Sequence, residues 1–135
     1  MYQQIILRKL EKPKAADTIT DIDWICKSLG FGCGRDTERI SAKIIKNLLE
    51  DVSQDGHSSA EELANELNIA CQRVNYHLRA LTEAGFLYRQ RRLIFLRDGS
   101  VKAAIEEMRR DANRIFDRMA EIADEVDASL GLKSR

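Results

Sequence analysis

Short apolar stripes alternate with polar breaks along the chain, and their spacing predicts the elements. From Glu38 to Asp51, Ile40, Ile44, Ile45, Leu48 and Leu49 recur every three or four residues, the period of a helix with one face turned to a core. Asp36 or Thr37 stands where an N-cap is needed, and Asp55-Gly56 breaks the pattern. Ser59-Ala60-Glu61-Glu62 has the spacing of a capping box. It predicts a short helix to about Leu67, with Leu63, Ala64 and Leu67 inward. Asn68-Ile69 makes a tight turn. A third helix follows from about Ala70 to Ala84, with Val74, Leu78 and Leu81 inward and Gly85 as its stop. Ala70 brings no capping side chain, a loss of about 1 kcal/mol against Ser or Thr. Phe86–Arg97 is aromatic and aliphatic with a polar break at Arg89–Arg92, which predicts two short strands joined by a tight basic turn.

The two ends differ. Ser100 can cap a last long helix, Val101 to about Leu130. In it Val101, Ile105, Met108, Ala112, Ile115, Met119, Ile122 and Val126 alternate steps of four and three. That is a coiled-coil seam, and a small core cannot cover about 45 Å of helix at 1.5 Å per residue. Self-association through this helix, as a homodimer, is expected. At the other end, Ile5, Ile6, Leu7 and Leu10 suit a short helix or a strand ending before Lys12-Pro13. Asp21–Leu29 suits a small helix, with Thr20 as cap and Gly30 as left-handed stop.

Two helices joined by a tight turn, then a hairpin, make a helix-turn-helix with a wing. The residues that carry the pattern are Ser59-Ala-Glu-Glu-Leu-Ala-Asn-Glu-Leu67, Asn68-Ile-Ala-Cys-Gln-Arg-Val-Asn-Tyr-His-Leu-Arg-Ala-Leu81 and Glu83-Ala-Gly-Phe-Leu87. With them the chain resembles winged-helix transcriptional regulators of the ArsR and MarR type over roughly residues 38–97. The resemblance implies a mainly α fold with a small β-hairpin wing (α+β), extended by a long C-terminal coiled-coil helix. The division expected is an N-terminal extension at 1–36, a winged DNA-binding domain at 37–98 with its core in 38–97, and a dimerisation helix at 99–135.

Charge sharpens this picture. The 135 residues carry 22 positive and 22 negative side chains. Residues 68–98, however, hold six basic residues against two acids, whereas 38–67 hold three against seven. A polyanion responds to such a local patch within a Debye length of about 10 Å. Opposite the buried face of the third helix lie Gln72, Tyr76 and Arg79, flanked by Arg73 and Asn75. Gln and Asn can bond adenine edges, and Arg can bond guanine or phosphate. Arg89, Arg91 and Arg92 in the wing, with Arg97 at its base, suit phosphate contact. The short turn argues against deep insertion into the minor groove. These residues predict double-stranded DNA as partner. The alternative is a winged-helix adaptor that dimerises and binds protein, which the neutral total charge favours.

Other chemistry finds little footing. The longest uninterrupted aliphatic or aromatic run is Leu93–Leu96, far below the roughly 20 residues of a bilayer span. The N-terminus lacks the apolar stretch of a secretory signal. Three widely spaced cysteines, Cys26, Cys33 and Cys71, make no disulfide framework and point to a reducing cytoplasm. Cys33, between two glycines beside Arg35, and Cys71, at a helix start, are candidates for a redox switch. No metal site is expected. His57 falls in a loop, His77 matches a packing position of the family, and the last helix has no histidine. No nucleophile–base set has a recognisable context, so neither catalysis nor a cofactor is expected, and no small-molecule effector is legible.

Overall fold

Local chemistry sets most element boundaries in the computed structural model, which describes residues 2–14, 16–31 and 39–134. Helix α1, Thr18–Ser28, starts at Asp17, whose Oδ1 accepts the Thr20 N–H at 2.8 Å. That bond holds the Asp17 carboxyl below its usual range. The cap is therefore Asp17 and not Thr20, which sits inside the first turn with its hydroxyl donating to the same carboxylate. Helix α2, Ile40–Asp55, runs four residues past the expected end, because nothing in Val52-Ser53-Gln54 opposes a helix before Gly56 stops it. The cap expected at Asp36 or Thr37 lies outside the described residues. Helix α3, Ala60–Leu67, has the foreseen cap, with Ser59 Oγ accepting from the Glu62 N–H at 3.1 Å. Helix α4, Cys71–Ala84, runs from an uncapped Ala70 to Gly85. Strands β1, Leu87–Gln90, and β2, Leu93–Leu96, pair antiparallel from Leu87↔Leu96 to Gln90↔Leu93, which leaves Arg91-Arg92 as the turn. Helix α5, Val101–Leu130, opens on Ser100 Oγ, which accepts from the Ala103 N–H at 3.1 Å. The fold is the mainly helical, wing-bearing architecture that the pattern predicts.

Two backbone features went unforeseen. Ser58 pairs with Ile94 through two backbone hydrogen bonds, of 2.9 and 2.8 Å, so a third segment edges the hairpin. Residues 2–14 form neither helix nor strand. They run as an extended arm, tied by Gln4 N–H to the Glu83 carbonyl at 3.2 Å and by Arg8 N–H to the Ser28 carbonyl at 2.7 Å. The arm passes so close to Gly30 that a Cβ there would come within 2.7 Å of Ile6 Cγ2. Gly30 thus serves both as the left-handed stop of α1 and as the floor for the arm.

The core is not confined to residues 38–97. Ile22, Cys26, Leu29 and Phe31 from the α1 region pack in one cluster with Ile44, Leu48, Leu63, Leu78, Leu81 and Ile94. Ala104 and Met108 of α5 belong to the same cluster, and Val101 and Ile105 pack against it. This splits the 4-3 seam. Met108 is 4% exposed and Met119 is 51% exposed. From Asn113 onward every described residue of α5 is exposed. Met108 is covered by the chain's own core and Val101 and Ile105 pack half-buried against it, whereas beyond Ala112 the stripe is bare.

At that border a buried carboxylate joins distant segments. Asp111 Oδ2 accepts from Arg97 Nη1 at 2.5 Å and from Gln3 Nε2 of the arm at 2.8 Å, and Oδ1 accepts from Arg114 Nη2 at 2.6 Å. Arg97 also reaches the Gly85 carbonyl at 3.4 Å and Glu107 at 3.6 Å. Gly85 must be glycine here. Its φ is +88°, and a Cβ would sit 2.8 Å from Gln3 Nε2 and 3.0 Å from Arg97 Nη1. The Arg97 hydrogen bond, helped by those from Gln3 and Arg114, outweighs burial and holds the Asp111 carboxyl far below its usual value of 3.8.

A carboxyl lowered on folding stabilises the protein above the unfolded-state value and loses that effect as pH falls through the folded one. Urea melts should therefore show stability falling from about pH 4 downward. Asp111→Asn should lose about 1–3 kcal/mol at pH 7, and its stability should depend less on acid. A variant as stable as wild type at pH 7 would show that the Asp111 contacts contribute nothing.

Candidate nucleic-acid interface

Burial of Val74, Leu78 and Leu81 fixes the rotation of α4. The opposite face, with Gln72, Arg73, Tyr76 and Arg79, is consequently exposed. Tyr76 is 74% exposed, its ring edge-on to His77. His77 itself is half-buried, with Nδ1 2.8 Å from Ser41 Oγ on α2. It thus bridges two helices, as a packing residue would. No side chain caps the start of α4; the Arg73 and Val74 N–H groups donate to the Ala70 carbonyl at 3.0 and 3.2 Å.

The wing lies against this helix. Arg89 projects from the inner face of the hairpin, and its Nη2 donates to Asn75 Oδ1 at 2.8 Å. Asn75 in turn points Nδ2 toward Cys71 Sγ at 3.8 Å. Asn75, Arg79, Thr82, Glu83 and Arg89 line a cleft of about 310 Å³ between α4 and β1. Sequence reading names Asn75 and Arg89 separately. Their pairing, across fourteen positions, has no local signal.

At the tip, Arg91 and Arg92 are exposed. Arg91 has φ of 60°, as a two-residue hairpin turn demands, a conformation usually given to Gly or Asn. Holding a long side chain there costs roughly 1 kcal/mol. Arg92 lies 3.9 Å from Glu61, but both side chains are well exposed and the pair contributes little. On the outer face Tyr88 stacks on Phe95 at 5.1 Å, and the half-buried His57 meets Phe95 edge-on. Arg97 does not belong to this surface. Its guanidinium is taken up in the Asp111 cluster.

The remaining candidates are scattered. Cys71 is exposed at the first residue of α4, and Cys26 is buried. Cys33 lies outside the described residues. Among the described residues one group of three carboxylates converges, Asp51, Glu62 and Glu66, which sequence reading did not single out. Burial raises the Glu66 carboxyl above its usual range, Asn47 donates to it, and Ser58 donates to Asp51. Among the described residues no helix is long and apolar enough to cross a membrane.

Neither curated proteins nor solved structures give a match to this chain. Residues 41–88, from α2 into β1, match the family model described as winged helix-turn-helix DNA-binding. This stretch is thus similar to winged helix-turn-helix DNA-binding domains.

Proposed function

We propose that the chain is a homodimeric transcriptional regulator that reads double-stranded DNA by sequence. The observation that carries this reading is the Arg89–Asn75 hydrogen bond. It joins wing and α4 into one polar surface within the segment that matches DNA-binding domains. Helix α4 enters the major groove, where Gln72, Arg73, Asn75 and Tyr76 meet base edges. The uncapped N-terminus of α4 faces phosphate. Arg79 and Arg89 line the cleft, and Arg91 and Arg92 meet the flanking backbone. The ArsR and MarR likeness rests on Ser59–Leu67, Asn68–Leu81 and Glu83–Leu87 in that order, and within it His77 is used in packing. The rival reading, a protein-binding adaptor, gains from the neutral total charge. It gives no account of a strained arginine at the wing tip.

Two measurements separate these readings. Replacing Arg91 and Arg92 by Ala should weaken binding to all duplexes and lower the salt slope by roughly one per lost contact, whereas Asn75→Ala should cost about 1–3 kcal/mol at one base position. Duplex affinity unchanged in both would favour the adaptor. Arg91→Gly should relieve the left-handed strain, so its melting temperature should equal or exceed that of wild type while duplex affinity falls. If affinity survives that substitution, the strained arginine has no role on DNA.

Dimerisation is carried by the exposed half of α5, where Ile115, Met119, Ile122 and Val126 form a bare stripe. Ile115→Asp would bury an unpaired charge in the seam of each copy. Light scattering should give a monomer with unchanged circular dichroism in the winged unit. Duplex affinity should drop by about 10²–10⁴ as the halves bind separately. A wild type that is monomeric at micromolar concentration would exclude this assembly.

A further inference from the structure

We infer that two copies of α5 pair antiparallel, with the crossing point between Ala120 and Glu121, so that the second copy covers the bare stripe head to tail. This rests on the dimer reading above and deepens it.

Charge along the helix is uneven. Residues 109–118 hold Arg109, Arg110, Arg114 and Arg118 against Asp111 and Asp117, whereas residues 121–130 hold Glu121, Asp124, Glu125 and Asp127 and no basic residue. Arg109, Arg110 and Arg114 lean on acids one turn back, Glu106, Glu107 and Asp111. Arg118 and the four distal acids make no ion pair among the described residues. A parallel pair would bring the acidic ends of both copies together, like charge against like. An antiparallel pair lays the acidic end of each copy along the arginines of the other.

The seam agrees. Its positions fall into two alternating sets, Ala112, Met119 and Val126, and then Ile115, Ile122 and Ser129. Helices running in the same direction match each set with itself. Helices running in opposite directions must match one set with the other, and here a single register does so throughout. It seats Met119 on the second copy's Ile122 and Ile115 on the second copy's Val126, and it places Ala112 opposite the second copy's Ser129. On the flanks the same register sets Phe116 against the second copy's Ala123. It also sets Arg118 against the second copy's Glu125, twice by symmetry. In a parallel pair Arg118 would face alanine and Glu125 would face leucine, with no charge matched.

Spacing follows from the crossing point. The two Met108 residues, where α5 enters each core, lie about 25 residues apart along the paired helices, or roughly 38 Å at 1.5 Å per residue. This is close to the roughly 34–36 Å of one turn of duplex DNA that separates half-sites. A parallel pair would bring both domains to the same end.

Cysteine cross-linking tests the arrangement, in protein with Cys33 and Cys71 replaced by serine. Ile115→Cys alone and Val126→Cys alone should give no disulfide-linked dimer. In the antiparallel pair each lies about 16 Å from its own copy at 1.5 Å per residue. The double variant should cross-link nearly completely under mild oxidation. Arg118→Glu should weaken the dimer about tenfold, and Arg118→Glu with Glu125→Arg should restore it. Cross-linking by Ile115→Cys alone, or failure of the charge swap to restore the dimer, overturns the antiparallel arrangement while leaving the dimer intact. A wild type that is monomeric by light scattering overturns the dimer itself. Ile115, Arg118, Glu125 and Val126 are exposed in the single chain, so circular dichroism of their variants should match that of the parent protein.

Discussion

Asp111 sits where four parts of the chain meet, and the direction of α5 depends on what it accepts. Arg97 brings the base of the wing, Gln3 brings the N-terminal arm, and the Gly85 carbonyl on Arg97 brings the end of α4. The carboxylate is buried, so the loss of its partners would leave an uncompensated charge, a far greater cost than an exposed pair could offset. Ala104 and Met108 of α5 are buried in the core and Val101 and Ile105 pack against it, all on the N-terminal side of Asp111. The ion cluster adds a polar tie at Asp111, and so fixes α5 relative to α4 and the wing.

Much of the fold is legible in the chain because its helices obey local rules. Period, caps and stops predict α3, α4 and α5 to within a residue or two, since Ser59, Gly85 and Ser100 act on their own neighbours. What resists reading is anything that depends on distant partners. Arg97 looks like part of a basic wing because its neighbours in sequence are basic. Its fate is set by Asp111, an unremarkable acid in a highly charged helix. The 4-3 stripe of α5 tells only that one face is apolar. What covers that face changes at Ala112, from the chain's own core to open surface, and no periodicity records such a change. The arm fails for the same reason. Ile5, Ile6, Leu7 and Leu10 are apolar enough for a regular element, but the arm is held by contacts to distant segments, Gln4 to Glu83, Arg8 to Ser28 and Gln3 to Asp111.

The candidate site is where local rules are broken. Ala70 leaves a helix start uncapped, and Arg91 occupies a left-handed turn suited to glycine. Each costs roughly 1 kcal/mol, and neither is repaid by another contact among the described residues. Asn75 is the third case. Its amide bonds a wing arginine and a thiol within its own chain, although an exposed asparagine is equally well served by water. Such features also occur elsewhere, since Arg39 and Asp98 are left-handed and α2 starts without a side-chain cap, but Ala70, Asn75 and Arg91 fall on one surface. The outer residues of α4 and the wing share that surface, whereas Arg97 stands outside it.

The connection between that surface and the bare end of α5 is stiff. From Val101 to Leu130 there is no glycine and no proline, the usual causes of a sharp bend. The helix is clamped at Asp111 and continues without interruption past Ala112. Whatever holds its far half therefore sets the position of α4 as well, through rigid helix instead of a flexible tether. A flexible linker would let two winged domains search many separations and lose effective concentration as its length grew. A rigid helix gives them one separation, determined by the number of residues between the core and the point of contact. One added or deleted residue in that stretch shifts the spacing by about 1.5 Å and turns the distal face by about 100°. In the proposed dimer the exposed stripe would then point away from the second copy.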